Sequence, residues 1–292
     1  MTEIIYPWIL AARPKTLTAS IAPVLMGTTL AYYTGNIHVF ITIVTFIAAL
    51  AIQIGANYAN DYFDFQKGVD STSRIGPRRM TQSGMVQPIE MRNAFIISFS
   101  IAVILGIILL FRGGWPIFWI GIISIICAVL YTGGPLPFGS RGMGDIFVLI
   151  FFGPVAVGGT YYLQTLGINF TVILAGFAPG LISAAILAVN NLRDVRSDTE
   201  TGKRTLAVIH GVDFVRMEYF YSITIACFIP FILVIINWSH WYILIISGII
   251  YVLALPLFHK VNHGHIDKSL NFVLGATSFL LILYAVLFAF CW

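Results

Sequence analysis

Asn60 and Asp64 stand four residues apart at the end of one apolar run, and Asn190, Asp194 and Asp198 repeat that spacing at the end of another. Residues four apart on a helix share a face, with side chains about 6 Å from each other. Each group therefore forms a short strip of carboxylates and amide oxygens. Two such strips facing one another repel unless a cation lies between them. An oxygen-only donor set suits Mg²⁺, which characteristically takes one or two carboxylates plus phosphate oxygens. Asp61, one place after Asn60, points about 100° away from the strip, where it can flank the ion or support its ligands. Asp70 continues the first cluster.

Basic residues interleave with these acids: Lys67, Arg74, Arg78 and Arg79 follow the first strip, and Arg193, Arg196, Lys203 and Arg204 accompany the second. Carboxylates for a metal beside Lys and Arg for anions is the composition expected of a diphosphate site. Any one of these arginines is equally what an interfacial anchor looks like. The acids gain nothing from anchoring, so the paired strips carry the reading.

The elements that position the strips follow from composition. The 292 residues are 59% hydrophobic and only 10% charged, with a mean hydropathy of +0.91. Soluble chains carry about 25% charged residues, so lipid must solvate most of this surface. The apolar runs approach 20 residues and do not alternate, which selects spanning helices over a barrel. Nine spans are expected, at about 16–33, 38–59, 93–111, 115–133, 145–166, 170–191, 217–237, 240–259 and 270–291. Fifteen of the 16 Lys and Arg fall at the N-terminus or after even-numbered spans, and Arg112 alone falls on the other side. Basic residues accumulate on the cytoplasmic side, so the N-terminus is expected inside. The expected architecture is an all-α membrane protein with a nine-helix bundle, one domain over 1–292. Its two long cytoplasmic loops, about 61–92 and 192–216, hold eight of the 12 carboxylates. The N-terminal stretch has no basic start and no small-residue cleavage site, so it does not read as a signal peptide. The three cysteines lie inside apolar runs, as packing residues do.

With these residues in view, the chain resembles the UbiA superfamily of membrane prenyltransferases, which carries Asn-x-x-x-Asp-x-x-x-Asp motifs on the second and sixth of nine helices. The second motif is complete at Asn190, Asp194 and Asp198. The first has Asn60 and Asp64, but Gly68 stands in the third position and Asp70 follows. That variant, with "RPKTLTASIAPVLMGT", "YTGGPLPFGSRGMGD" and "NNLRDVRSDTETGKRTLAV", is similar to the branch that prenylates 1,4-dihydroxy-2-naphthoate. The resemblance is strongest over residues 13–210. It implies transfer of a polyprenyl group from polyprenyl diphosphate to the naphthoate, with diphosphate and carbon dioxide released. It also implies Mg²⁺ as cofactor, the lipid bilayer of the cell membrane as setting, and no nucleic-acid partner. Asn60, Asp64, Asn190, Asp194 and Asp198 are the expected metal ligands. Asp61, Asp64, Asp70, Asp194, Asp198 and Tyr131 form the expected catalytic set. Lys67, Arg74, Arg78, Arg193 and Lys203 are expected on the donor, and Arg13 and Lys15 on the acceptor carboxylate.

Two of these assignments have plain competitors. Tyr131 either shields an allylic cation or belongs to an interfacial aromatic belt. Arg13 and Lys15 either meet the acceptor or anchor the first span. Other acceptors remain open within the family, among them 4-hydroxybenzoate, homogentisate, a porphyrin or a lipid alcohol. A transporter is the reading from another class, but its charges belong near the midplane on broken helices. Here the acids sit at helix ends.

Overall fold

The computed structural model describes residues 2–68, 75–77, 79–135, 137–236 and 240–292. Asp70, Arg74 and Arg78 lie outside the described residues. No strand occurs among those described. The helices are α1 (Thr2–Ala12), α2 (Pro14–Tyr33), α3 (Val39–Gln66), α4 (Pro88–Leu130) and α5 (Gly144–Ile150), the last running through a π turn at Phe151–Val155 into α6 (Ala156–Thr165). They continue with α7 (Phe170–Glu200), α8 (Leu206–His210), α9 (Val212–Ile236), α10 (Leu244–His263) and α11 (Leu270–Cys291). Among the described residues, seven elements are long and apolar enough to cross a membrane: α3, α4, the α5–α6 run, α7, α9, 241–263 and α11. This is an all-helical, multi-pass membrane protein.

The third and fourth expected spans are two arms of α4. Gly114 breaks the 43-residue helix with φ 64° and ψ −157°, a backbone region open to glycine and strained for other residues. Both arms lie along α3. On the first, Phe99 occupies the space beside Gly55; at the far end of the second, Gly133 abuts Phe63 and Thr132 donates to the Asn60 side chain. The chain therefore doubles back at Gly114. The first expected span is α2, whose Thr16, Thr18, Ser20, Thr28 and Thr29 lower its hydropathy; it is not among the seven.

The long loops begin later than expected. At 1.5 Å per residue, α3 and α7 are about 42 and 46 Å long, well beyond the ~30 Å hydrocarbon core. Their last turns, which carry both polar strips, project past the apolar layer as helix. Gly68, at φ 63°, ends α3, with the Lys67 and Gly68 amides donating back to Phe63 and Phe65. This is the usual left-handed glycine stop. It accounts for the missing third acid of the first motif, because no helical face continues there to carry one.

Helix α7 is the most enclosed span, with 72% of its apolar window buried, and α4 is the least, at 17%. The main core gathers α7 with α2, α9, α10 and α11 around Met26, Ile182, Tyr219, Ile250 and Tyr284. Where the π turn meets α7 there is no room for side chains: a Cβ on Gly180 would stand 2.3 Å from the Leu149 carbonyl, and one on Gly176 2.8 Å from Pro154. Small residues that let helix backbones touch are the usual device for packing in lipid. At the end of the bundle away from the strips, Arg112 donates to the carbonyls of Leu163 and Gln164 at 3.2 and 3.0 Å. It also lies 2.9 Å from the His38 ring.

Candidate active site

The first strip occupies the last turns of α3. Asp64 is almost fully buried and holds two cations, Arg79 at 2.7 Å and Lys203 at 3.0 Å. Arg79 comes from the segment before α4 and Lys203 from the segment after α7, so one carboxylate joins three parts of the chain. Asp61 has a different task. Its two oxygens accept the backbone N–H groups of Met80 and Thr81 at 3.1 and 3.0 Å, anchoring the turn that delivers Arg79. Asn60 accepts from Thr132, and Lys67 donates to the Thr132 carbonyl.

The second strip lies on α7. Arg193, 1% exposed, grips Asp194 with two parallel bonds of 2.8 and 2.6 Å. The same guanidinium donates to Asn190 at 2.8 Å and to Asn271 of α11 at 2.9 Å. Asp198 is half-buried one turn further on, and the Lys203 amide caps its carbonyl at 2.8 Å. Charged hydrogen bonds of this forked kind are about twice as strong as neutral ones, and burial makes them costly to break.

Tyr131, at the C-terminal end of α4, is close enough to feel the charges of both strips. Its hydroxyl abuts Gly144 and its ring abuts Gly139. Burial pushes its phenol well above the usual range; the carboxylates of Asp145, Asp64 and Asp198 push the same way and Arg13 opposes them. The tyrosine is thus within electrostatic reach of both strips and of Arg13. Arg13 joins α1 to α2 with a left-handed backbone, φ 52°, a conformation that costs a non-glycine residue about 1–2 kcal/mol. Lys15 is exposed and reaches the other way, to the Asn271 carbonyl at 3.4 Å.

The structure thus gathers Asn60, Asp64, Lys67, Tyr131, Asn190, Arg193, Asp194, Asp198, Lys203 and Arg13 at one end of the bundle, while Lys15 turns towards α11. Arg79 stood in the sequence as one basic residue among several, and its pairing with Asp64 needed the turn that Asp61 holds. Thr132 and Asn271 gave no signal. Thr132 follows a tyrosine in a Gly/Pro stretch, and Asn271 opens a span of generic apolar character.

The donor chemistry fits Mg²⁺. Asp64, Asp194 and Asp198 with Asn60 and Asn190 offer only hard oxygens. No group of three or more His, Cys, Asp or Glu is gathered as an ion site among the described residues. The chain neutralises Asp64 and Asp194 with its own Arg79, Lys203 and Arg193 instead. Burying two carboxylates demands positive charge beside them, and these cations supply it.

A helical bundle that mounts two Asn-Asp strips at the ends of its second and most enclosed long helices defines a class of membrane enzyme. The UbiA prenyltransferase family matches residues 20–283, and this chain belongs to it. It is 34% identical to the 1,4-dihydroxy-2-naphthoate octaprenyltransferase of Haemophilus influenzae, covering 97% of this chain and 94% of that one. It is 41% identical to the Escherichia coli protein of the same name over 70% of this chain and 68% of that one. The Mycobacterium tuberculosis namesake is 34% identical, with 96% and 94% covered. Among solved structures, a UbiA homolog from Archaeoglobus fulgidus bound to GPP and Mg²⁺ superposes with a TM-score of 0.71 at 14% identity, covering 97% of this chain and 99% of that one. The apo structure of an Aeropyrum pernix UbiA homolog gives 0.72 at 13%, covering 94% and 98%. Identities this low speak to the fold alone.

Proposed function

We propose that this protein transfers a polyprenyl group from polyprenyl diphosphate to 1,4-dihydroxy-2-naphthoate, releasing diphosphate and carbon dioxide and forming the prenylated naphthoquinol, demethylmenaquinol. The observation that carries the reading is the 3.0 Å link from Lys203 to Asp64, which draws the two Asn-Asp strips into one anion-binding end of a lipid-facing bundle. Relatives named for this naphthoate, similar over almost the whole chain, support the acceptor.

In this reading the whole chain, 1–292, is one catalytic unit. Its active-site segments, about 61–92 and 192–216, face the cytoplasm from the cell membrane, with the N-terminus on that side. Asp64, Asp194 and Asp198, with Asn60 and Asn190, would hold Mg²⁺, which supplies charge neutralisation of the departing diphosphate. Lys67, Arg193, Lys203 and Arg79 bind the diphosphate oxygens, joined by Arg74 and Arg78 from outside the described residues, as Asp70 joins the acids. As the allylic carbon–oxygen bond breaks, charge grows on the diphosphate and these cations stabilise it. The Tyr131 ring faces the allylic carbon and shields its positive charge. The apolar bundle keeps water from that carbon until the bond to the naphthoate ring forms. Arg13, close to Tyr131, receives the acceptor carboxylate, with Lys15 at the rim.

A competition assay tests the acceptor. Membranes holding the protein, Mg²⁺ and one prenyl diphosphate are offered 1,4-dihydroxy-2-naphthoate and 4-hydroxybenzoate together. Decarboxylated prenyl-naphthoquinol is the expected major product by mass. Prenylated 4-hydroxybenzoate that keeps its carboxylate would overturn the acceptor and leave the prenyltransferase reading standing.

A further inference from the structure

Helix α11 reads in the sequence as a generic apolar span, yet its first turn meets three separate parts of the site through one residue. The Asn271 side-chain oxygen accepts from Arg193 Nη1 at 2.9 Å. Its amide donates to the Ile75 carbonyl at 3.5 Å, and its backbone carbonyl accepts from Lys15 Nζ at 3.4 Å. Asn271 is half-buried and follows Leu270, the first residue of its helix. The buried residues around it, Leu270, Val273 and Leu274, are apolar members of the main core, and the amide stands apart from them.

The arrangement around Arg193 says what the amide is for. A guanidinium has five N–H donors in a fixed fork and no acceptor. Here Nε and Nη2 serve Asp194, Nη2 also serves Asn190, and Nη1 serves Asn271. Asp194 and Asn190 are the groups that would turn to a metal, and when they do the fork loses its partners on α7. Asn271 stands on another helix, outside the two Asn-Asp strips that make up the donor set. It alone of the three can keep its hold on the guanidinium while the others change partners. Without it, Arg193 would swing on a flexible stem, and holding the fork in place is what makes arginine an effective phosphate ligand.

We infer that Asn271 is a positioning residue, which holds the Arg193 guanidinium at the diphosphate end of the site when Asp194 and Asn190 are engaged elsewhere. The inference rests on the diphosphate reading given above. Through Ile75 and Lys15, the same side chain and its backbone also tie α11 to the segment after α3 and to the start of α2.

The test is equilibrium binding of geranyl thiolodiphosphate, a slowly reacting donor analogue, to the purified full chain in nanodiscs with Mg²⁺, read by calorimetry. Asn271→Ser shortens the side chain beyond reach of Arg193 while suiting a helix N-terminus. Asn271→Leu, near in size and unable to hydrogen-bond, serves if the serine variant fails to fold. Either should weaken analogue binding about tenfold, the scale of one hydrogen bond to a charged group, and leave the acceptor KM and melting temperature near wild type. Combined with Arg193→Gln, the Asn271 change should add nothing further, because its effect runs through that arginine. Unchanged analogue binding, equal loss for donor and acceptor, or additivity with Arg193→Gln would each overturn the inference while the proposed function stands. A wild-type chain that does not bind the analogue with Mg²⁺ takes down both.

Discussion

The Lys203 ammonium and the Asp64 carboxylate meet at 3.0 Å although 139 positions separate them in the chain. One lies beyond the end of α7, the other in the last turns of α3, and the contact brings the two acidic strips together. In the free protein, Lys203 spends its charge on a carboxylate assigned to a metal. Lys203→Met is therefore expected to raise the KM for prenyl diphosphate about tenfold, since one charged hydrogen bond is lost, with the KM for the naphthoate unchanged. Steady-state kinetics with each substrate varied in turn checks this, and an effect on the acceptor alone would contradict it.

Asp64 and Asp194, beside their proposed part in the chemistry, hold buried ion pairs. Asp64→Asn leaves Arg79, 7% exposed, beside a neutral amide, and Asp194→Asn does the same to Arg193. Removing one partner of a buried pair costs about 3–5 kcal/mol. Each variant should lose at least a hundredfold in turnover and also melt earlier in detergent. Asp198→Asn, on a half-buried residue, should lose turnover with little change in melting. Equal melting across all three variants would show that the buried pairs are energetically idle.

Asp61 separates a structural carboxylate from those proposed to hold the metal. With both its oxygens on the Met80 and Thr81 amides, Asp61→Ala leaves two backbone donors unsatisfied, at about 1–3 kcal/mol each. The expected outcome is faster proteolytic cleavage between α3 and α4 and weaker donor binding, with the Mg²⁺ concentration for half-maximal activity unmoved. A rise in that concentration would return Asp61 to the metal.

In the proposed reaction Tyr131 serves as a neutral ring. Its folded-state pKa is raised above the ordinary value of 10.0 by burial and by Asp145, Asp64 and Asp198. Its stabilising share is thus fully present below pH 10 and is lost only as pH rises beyond that value towards the folded pKa. Tyr131→Phe is expected to keep most of the turnover, with a pH–rate profile that matches wild type up to about pH 9. Tyr131→Ala should lose about a hundredfold. A basic limb present in wild type and absent in the phenylalanine variant would assign a proton-transfer role to the phenol.

Gly114→Ala tests the reversal of α4. At φ 64° and ψ −157° an added Cβ is strained by about 1–3 kcal/mol. The yield of monodisperse protein should fall, while turnover per folded molecule stays near wild type, since Gly114 is at the opposite end from the acids.

The strips were legible because they depend only on helical periodicity: Asn60 with Asp64, and Asn190 with Asp194 and Asp198, need nothing beyond 3.6 residues per turn. What surrounds them depends on tertiary contacts and was hidden. Asp61 points off the strip as expected, but the turn it caps is visible only once residues 79–86 fold back. Arg193 and Asp194 are adjacent, so helix geometry aims their Cα–Cβ bonds about 100° apart, and only the long arginine stem lets them pair. The helix ends were misplaced because hydropathy reports where lipid stops, while α3 and α7 run on through polar sequence to Gln66 and Glu200.

The sharp reversal at Gly114 also bears on the order in which this protein can assemble. With almost no chain between its arms, the α4 hairpin can enter a bilayer as a single object carrying Arg112 at its tip. The carbonyls that receive that guanidinium belong to Leu163 and Gln164, 51 and 52 positions further along the chain. During synthesis the hairpin therefore exists with His38 already at hand but before the two carbonyl partners of its tip cation are made, and that side of Arg112 stays solvated until α6 follows. Packing along α3 is available to the hairpin as soon as it is made, and α6 then adds the two carbonyl contacts to its tip, so the chain order sets the order of contacts: α3 with the α4 hairpin first, α6 after it.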